Sequence, residues 1–153
     1  MKNNNDKTTK TIISACTLGI PCRWNAKEKF NDKAAKEFLK GSSIATCPEV
    51  LGGLSTPRPA CEIVGGNGND VLDGQAKVLD KNVNDFTKEF IAGANEVLKI
   101  VKKLEIKKAI LKSKSPSCAV SQIFDGTFSD TKKPGMGVLT ALLIKEGIEV
   151  EEV

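Results

Sequence analysis

The chain has 153 residues, of which 40% are hydrophobic and 27% are charged, and its formal net charge is +4. This length fits one domain of ordinary globular composition, and no run of about 18 apolar residues exists, so neither a transmembrane helix nor a membrane partner is predicted. With 5% aromatic residues and no tyrosine, a base-stacking platform for single-stranded nucleic acid is disfavoured.

The chain begins with a polar stretch, MKNNNDKTTK, that lacks the apolar segment of a secretory signal. Residues 1–10 are therefore interpreted as a flexible lead and residues 11–153 as a single domain. A cytoplasmic location is expected.

The first predicted elements are two buried strands with a helix between them. Residues 11–19, TIISACTLG, are typical of a buried strand that ends in a glycine-containing turn. Residues 31–41 predict a helix with Asn31 or Asp32 as its N-cap. Residues 42–50 predict a second strand that stops at a proline, and a loop rich in glycine and proline follows.

The later elements continue the alternation of strand and helix. In chain order they are one strand of a small hairpin at 76–85, a long amphipathic helix beginning near residue 85, a third buried strand at 107–113, a helix at 135–147 and a final strand at 148–153. Strands that alternate with helices predict parallel pairing with helices on both faces of the sheet. The predicted fold class is α/β: a three-layer α/β/α domain with a mostly parallel, Rossmann-like sheet and a small hairpin insertion.

The chain contains five cysteines and no histidine. An odd number of cysteines in a reducing compartment disfavours a disulfide framework. The absence of histidine excludes a His-activated cysteine or serine nucleophile and any mixed Cys/His zinc site.

Three cysteines share one topological position. Cys16, Cys47 and Cys118 each lie at or just past the carboxyl end of a predicted parallel strand, which is the edge where open α/β sheets bind ligands. Thiolates at one edge favour a soft metal, namely zinc, copper(I) or an iron–sulfur cluster. The spacing matches neither a zinc finger nor a bacterial ferredoxin, and inert packing of each thiol as a small hydrophobe is the alternative.

Five segments of the chain, in this order, resemble the thiouracil desulfidase (TudS-like) family, formerly catalogued as domain of unknown function 523. The segments are SACTLGIPCRWNAK, CPEVLGGLSTPRPACEI, DVLDGQAKVLDKNVNDFTKEFIAGA, LKSKSPSCAVSQIFDGTFS and GMGVLTALL. The chain departs from the family pattern at Trp24-Asn25-Ala26, where Tyr-Asp-Gly is usual, and at Ala119, where glycine is usual.

The resemblance implies a [4Fe-4S] cluster held by three cysteines, with one iron open to substrate. It also implies a hydrolytic, non-redox removal of sulfur, as sulfide, from 2-thiouracil, thiouridine or thio-UMP. The implied ligands are Cys16, Cys47 and Cys118. Cys22 matches a family cysteine and is predicted to lie beside the cluster or the substrate, whereas Cys61 is expected to pack inertly.

The catalytic candidates lie beside two of these thiols. Addition of water to the carbon–sulfur bond needs a base, and without histidine the nearest candidate is Glu49. Ser115 and Ser117 flank Pro116, and we expect Ser115 to orient the water and Ser117 to hydrogen-bond backbone near the cluster. The alternatives are a carboxylate satisfied by backbone N–H groups and two serines that only form a turn.

The substrate-binding candidates are Arg23, Arg58, Asp125 and Thr127. Arg58 lies between two prolines and is a stiffened donor for a pyrimidine carbonyl or a phosphate. Asp125 and Thr127 belong to a turn that either presents N–H groups to an anion or simply closes itself. Lysines at 112–114, with other lysine pairs, favour either a phosphate-bearing substrate or a solvated surface.

Three functions are compatible with these residues: an iron–sulfur desulfidase, a non-catalytic carrier of sulfur or clusters, and a structural zinc protein with a four-thiolate site at Cys16, Cys22, Cys47 and Cys118. For the first, the expected partner is a small thiolated pyrimidine rather than a nucleic acid, because the domain has no basic extension. The sequence carries no signal of oligomeric state.

Overall fold

The central feature of the fold is a four-stranded parallel sheet, seen in a computed structural model that describes residues 9–153. Its strand order is β2-β1-β5-β8. The strands are β1 (Thr11–Ser14), β2 (Ser43–Thr46), β5 (Lys108–Leu111) and β8 (Glu149–Glu152), and all three neighbouring pairs are parallel. The predicted parallel sheet, including its final strand, is confirmed.

Successive side chains of a strand point to opposite faces of the sheet, so the buried strands are apolar on both faces. Helices cover each of these faces. Ile12 and Leu111 pack in the larger core with α4 (Thr87–Lys103) and α5 (Val138–Lys145). Ile13 and Ile110 point the other way and pack with Ala34 of α1 (Asp32–Phe38). The predicted three-layer α/β/α arrangement is therefore confirmed.

Helix α1 begins at its predicted capping residue, whereas the N-cap position of α4 is Phe86, which makes no side-chain capping bond. The Asn31 side chain accepts the N–H of Ala34 at 3.0 Å at the start of α1. The Asp85 carboxylate accepts the N–H of Thr87 at 2.9 Å, which fixes the first turn of α4. The buried residues of α4 recur at helical spacing and are Phe90, Gly93, Ala94, Val97, Leu98 and Val101.

Two antiparallel hairpins and two short helices complete the described part of the chain. β3 (Cys61–Val64) pairs with β4 (Lys77–Asp80), so the predicted hairpin strand is confirmed, but its partner lies in a segment predicted as loop. β6 (Gln122–Phe124) pairs with β7 (Lys132–Pro134) in a second hairpin that was not predicted. The helices are α2 (Pro48–Leu51) and α3 (Gly68–Leu72).

The predicted flexible lead lies outside the described residues, except for its last two positions. No helix in the described part of the chain has the length and apolarity needed to cross a membrane.

Helix α4 sets the position of α2 through a close backbone contact. A Cβ atom added at Gly93 would lie 1.9 Å from the carbonyl oxygen of Pro48, which is far inside van der Waals contact. Helix α5 approaches the loop after β5 in the same way, because a Cβ atom at Gly137 would lie 2.4 Å from the carbonyl oxygen of Ser117. These two glycines bring the long helices against the segments that follow β2 and β5.

Candidate functional site

A cavity of about 670 Å³ opens at the carboxyl edge of the parallel sheet. Its walls include the residues that follow β1, β2 and β5, which agrees with the ligand-binding edge of open α/β sheets. All five cysteines line it: Cys16, Cys22, Cys47, Cys61 and Cys118. All five are free thiols.

Cys16 and Cys22 lie on the segment after β1. Cys16 is in a 3-10 helix (Ala15–Leu18) that directly continues the strand, so the predicted strand at 11–19 is shorter than expected and turns at Ala15. Both thiols are buried and pack against Ala15, with Cys47 beside them. Hydrogen bonding to Cys16 is the main cause that raises the pKa of Cys22 to about 11; Cys47 is its second hydrogen-bond partner. Cys22 is thus a neighbour of both Cys16 and Cys47.

Cys47 stands at the N-cap position of α2, directly after β2. Its Sγ lies 3.4 Å from Oε2 of Glu49 and 3.8 Å from the carbonyl oxygen of Cys22. The pKa of Cys47 is raised well above that of a free thiol by its hydrogen bond to Cys22, then by burial and by the carboxylate of Glu49. Pro48 begins α2 instead of only ending a strand, since proline is well suited to the first helical position.

Glu49 and Ser115 form a side-chain pair across the cavity. Glu49 is only 8% exposed, and its Oε1 accepts a hydrogen bond from the Ser115 hydroxyl at 3.4 Å. Ser115 Oγ in turn accepts the backbone N–H groups of Ser117 at 3.1 Å and Cys118 at 3.2 Å. Because these two donors occupy the lone pairs of the hydroxyl, its proton is directed to Glu49.

Cys118 is 4% exposed, and burial raises its pKa, with a further increase from Glu49. Hydrogen bonds from Ser14 and Ser115 act in the opposite direction. The carbonyl oxygen of Cys118 accepts the Thr140 hydroxyl at 2.9 Å, so α5 holds this residue from behind. The thiol is therefore fixed by the end of β1, by its own loop and by a helix.

The two predicted serines differ in their placement. Ser115 lines the cavity, whereas Ser117 does not. Ser117 is 1% exposed, and its Oγ is a buried atom without a hydrogen-bond partner among the described residues. The backbone carbonyl of Ser117 accepts the N–H of Leu139 at 2.9 Å, so the contacts seen at this residue are those of its main chain.

The predicted substrate-binding residues also separate into two groups. Arg23 and Arg58 line the cavity, whereas Asp125 and Thr127 do not. Asp125 Oδ1 accepts the N–H of Thr127 at 2.9 Å and its hydroxyl at 2.6 Å, which is the turn-closing alternative. Arg58 Nη1 donates to the carbonyl oxygen of Cys22 at 3.0 Å and thereby ties its own loop to the thiol segment.

Several charged residues of the cavity were not assigned individually from the sequence, and Glu62 and Lys112 are two of them. Glu62 of β3 is 7% exposed, accepts the N–H of Phe128 at 3.1 Å, and has a pKa raised mainly by burial. It was missed because β3 itself was not predicted. Lys112 directly follows β5 and lines the cavity half-buried, although its sequence neighbourhood only suggested a lysine cluster.

The donor set fits an iron–sulfur cluster better than a single ion. No three His, Cys, Asp or Glu side chains within residues 9–153 are arranged to hold one metal ion. A cluster makes a different demand, since each cysteine ligates its own iron and the thiols must surround a space rather than converge on a point. Five thiols line one cavity in a chain without histidine, and this donor set suits a cluster bound by cysteines.

Comparisons with known proteins agree with this chemistry. The family model described as 2-thiouracil desulfurase matches residues 11–152. The uncharacterized protein YbbK of Bacillus subtilis (strain 168) is 41% identical over 139 residues, covering 91% of this chain and 92% of the relative. A solved structure of the [4Fe-4S]-dependent thiouracil desulfidase TudS is similar with a TM-score of 0.83 and 36% identity, covering 94% of this chain and 90% of that one.

Proposed function

Because the chain belongs to the 2-thiouracil desulfurase family, we propose that it is an iron–sulfur-dependent desulfidase acting on a thiolated uracil compound. The reaction replaces the sulfur of a C=S group by the oxygen of water and releases hydrogen sulfide, so no electrons are gained or lost. The observation that carries the proposal is the meeting of Cys16, Cys47 and Cys118, from three separate strand ends, with Glu49 on one cavity.

We assign Cys16, Cys47 and Cys118 as the three cluster ligands and Cys22 as the thiol beside them. The contact of Cys22 with both Cys16 and Cys47 supports its place next to the ligands. When bound, a [4Fe-4S] cluster with one iron free of protein ligands supplies a Lewis acid for the soft thiocarbonyl sulfur. Since burial and neighbouring groups raise the pKa of Cys47 and of Cys118, loading the site releases protons from these two thiols.

Glu49 is the general base of the proposed reaction. Its carboxylate lies on the cavity wall, 3.4 Å from Cys47 Sγ, where it can take a proton from water beside the reacting carbon. Ser115 holds this carboxylate in place through its hydroxyl. The pair therefore positions the base between Cys47, which Glu49 contacts, and Cys118, which Ser115 contacts.

Arg23 and Arg58 are the substrate-binding cations of the proposal. Both line the cavity, and Arg58 is already oriented by its hydrogen bond to Cys22. A guanidinium group suits a pyrimidine carbonyl or a phosphate, which makes the free base, nucleoside and nucleotide all candidate substrates. The five free thiols support a reducing compartment such as the cytoplasm.

The test is an anaerobic substrate panel on protein reconstituted with iron and sulfide. We expect loss of thiocarbonyl absorbance with one sulfide and one uracil-type product per substrate, first with 2-thiouracil and then with its nucleoside and 5′-phosphate. Cys118→Ala should lose both bound iron and turnover. Bound iron without turnover on any member of the panel would instead support a cluster carrier, and colourless protein containing zinc would reject the cluster.

A further inference from the structure

Lys112 occupies an unusual place for a lysine, on the wall of the thiol cavity directly after β5. Its backbone N–H donates to the Ser14 hydroxyl at 3.0 Å, which ties it to the end of β1. Its Nζ donates to the carbonyl oxygen of Ser113 at 2.8 Å. The side chain is half-buried, so much of its charge is removed from water.

Within residues 9–153, no carboxylate lies within ion-pair distance of this charge. The ion pairs formed by residues 9–153 involve other lysines. Against the effect of burial, hydrogen bonds from Ser121 and Val120, and then the positive charge of Lys112, lower the pKa of Glu152. The hydrogen bonds that the Glu152 carboxylate accepts come from Val120 and Ser121, and not from Lys112. Arg23 and Lys29, which also line the cavity, add like charge.

Lys112 lines the same cavity as the thiols of Cys16 and Cys118, and its backbone is bound to Ser14, two residues before Cys16. Burial lowers the pKa of Lys112, followed by repulsion from Arg23, and the two thiols oppose both effects when they are ionised. A desolvated cation is costly unless an anion compensates it. On the cavity wall that Lys112 shares with Cys16 and Cys118, thiolates bound to metal would supply such an anion.

We propose that Lys112 is the charge-compensating residue of the thiol site: its ammonium group stabilises the anionic, thiolate-bound cluster next to Cys16 and Cys118. This inference rests on the proposed function, because it requires that the thiols hold a cluster. Lys112 acts through the ligands and is a positioning residue rather than a catalytic one. Lys114 also lines the cavity but is exposed, so water screens its charge and it serves as the matched control for burial.

The experiment compares wild type, Lys112→Met, Lys112→Arg and Lys114→Met after anaerobic reconstitution. The measurements are the potential for one-electron reduction of the bound cluster and the half-time of iron loss to a chelator. Removing a nearby positive charge disfavours added electrons, so Lys112→Met should lower the reduction equilibrium constant about tenfold, which is about 59 mV toward negative potential. It should also shorten the half-time of iron loss. Lys112→Arg should restore both values, and Lys114→Met should match wild type.

Each result decides the inference. Wild-type potential and iron retention in Lys112→Met overturn it, as does an equal change in Lys114→Met. If Lys112→Met folds but never retains iron while Lys112→Arg does, the inference stands. If Lys112→Met does not fold, Lys112→Gln is measured in its place. Should neither neutral variant fold as a metal-free full-length chain, the inference is overturned and Lys112 has a structural role. Absence of a cluster in wild type refutes the proposed function itself.

Discussion

Replacement of Glu49 by glutamine tests the centre of the proposed chemistry. Glutamine keeps the size of the side chain and can accept the Ser115 hydroxyl, which now lies 3.4 Å from Oε1. It removes the negative charge and the ability to take a proton from water. The substitution therefore separates general-base catalysis from the packing of the cavity wall, where Glu49 is only 8% exposed.

The expected loss follows from the role of a positioned base. General-base catalysis contributes about 10²–10⁴-fold, so kcat for Glu49→Gln should fall by that factor, which is about 2.7–5.4 kcal/mol in barrier height. Iron content should be unchanged or higher. The reason is that the carboxylate of Glu49 raises the pKa of both Cys47 and Cys118, and its removal makes their thiolates easier to form.

The assay follows the loss of thiocarbonyl absorbance and the release of sulfide under anaerobic conditions, with iron measured on the same samples. Glu62→Gln is the matched control, because Glu62 is a second buried carboxyl on the cavity. The charged groups that affect the pKa of Glu62 are Asp125 and Asp130, and no thiol is among them. The control should keep at least about a tenth of wild-type kcat. Full turnover of Glu49→Gln at equal iron content would refute the assignment of the base, and parallel loss of iron and turnover would make Glu49 a support of the cluster instead.

Three further changes test the framework of the site. Gly93→Ala should lower the free energy of unfolding by about 1–3 kcal/mol, because the added Cβ would lie 1.9 Å from the Pro48 carbonyl oxygen. It should also reduce the amount of bound iron. An unchanged thermal melt would contradict this close packing. Cys61→Ala should keep iron and turnover near wild type, and loss of iron would show that Cys61 is a ligand. The Thr87 hydroxyl lowers the pKa of Asp85, so the stabilisation from Asp85 is present above the unfolded-state pKa of about 3.9 and is lost as pH falls through the folded-state value. Acid unfolding followed by circular dichroism should therefore begin at higher pH in Asp85→Asn, and coincident curves would contradict this contribution.

The sheet and long helices could be predicted because their patterns are local. The apolar strands at β1, β2 and β5 are short continuous runs, and α4 carries an apolar stripe over 17 residues. The strand-end position of Cys16, Cys47 and Cys118 follows from that framework alone. It predicts that the three thiols share an edge, and the cavity confirms that they do.

Of the two hairpins only the strand β4 was predicted, because β3, β6 and β7 depend on partners that their own short sequences do not indicate. β3 lies in a segment rich in glycine and proline, and its Glu62 is held by the N–H of Phe128, 66 residues away. The helix α2 is a different case, since proline followed by an acidic residue is a recognisable helix start and was interpreted only as a strand end.

The contacts of individual site residues required the three-dimensional arrangement. The meeting of Cys22 with Cys16 and Cys47 depends on the loop that Arg58 ties down, and no spacing encodes it. For Asp125, the turn-closing alternative describes the structure, because its carboxylate is used within its own turn. Local residue types thus identified the thiols, whereas long-range hydrogen bonds decide which polar side chains reach them.

The geometry of the thiol site is set by helices that contribute no thiol. Gly93 lets α4 press against Pro48, the residue after Cys47, and Gly137 lets α5 press against Ser117, the residue before Cys118. A side chain at either glycine would push the adjoining segment away and so move Cys47 relative to Cys118. If these thiols bind a cluster as proposed, Gly93→Ala and Gly137→Ala should both lower the iron content after reconstitution, because a metal site needs its ligands held in a fixed geometry.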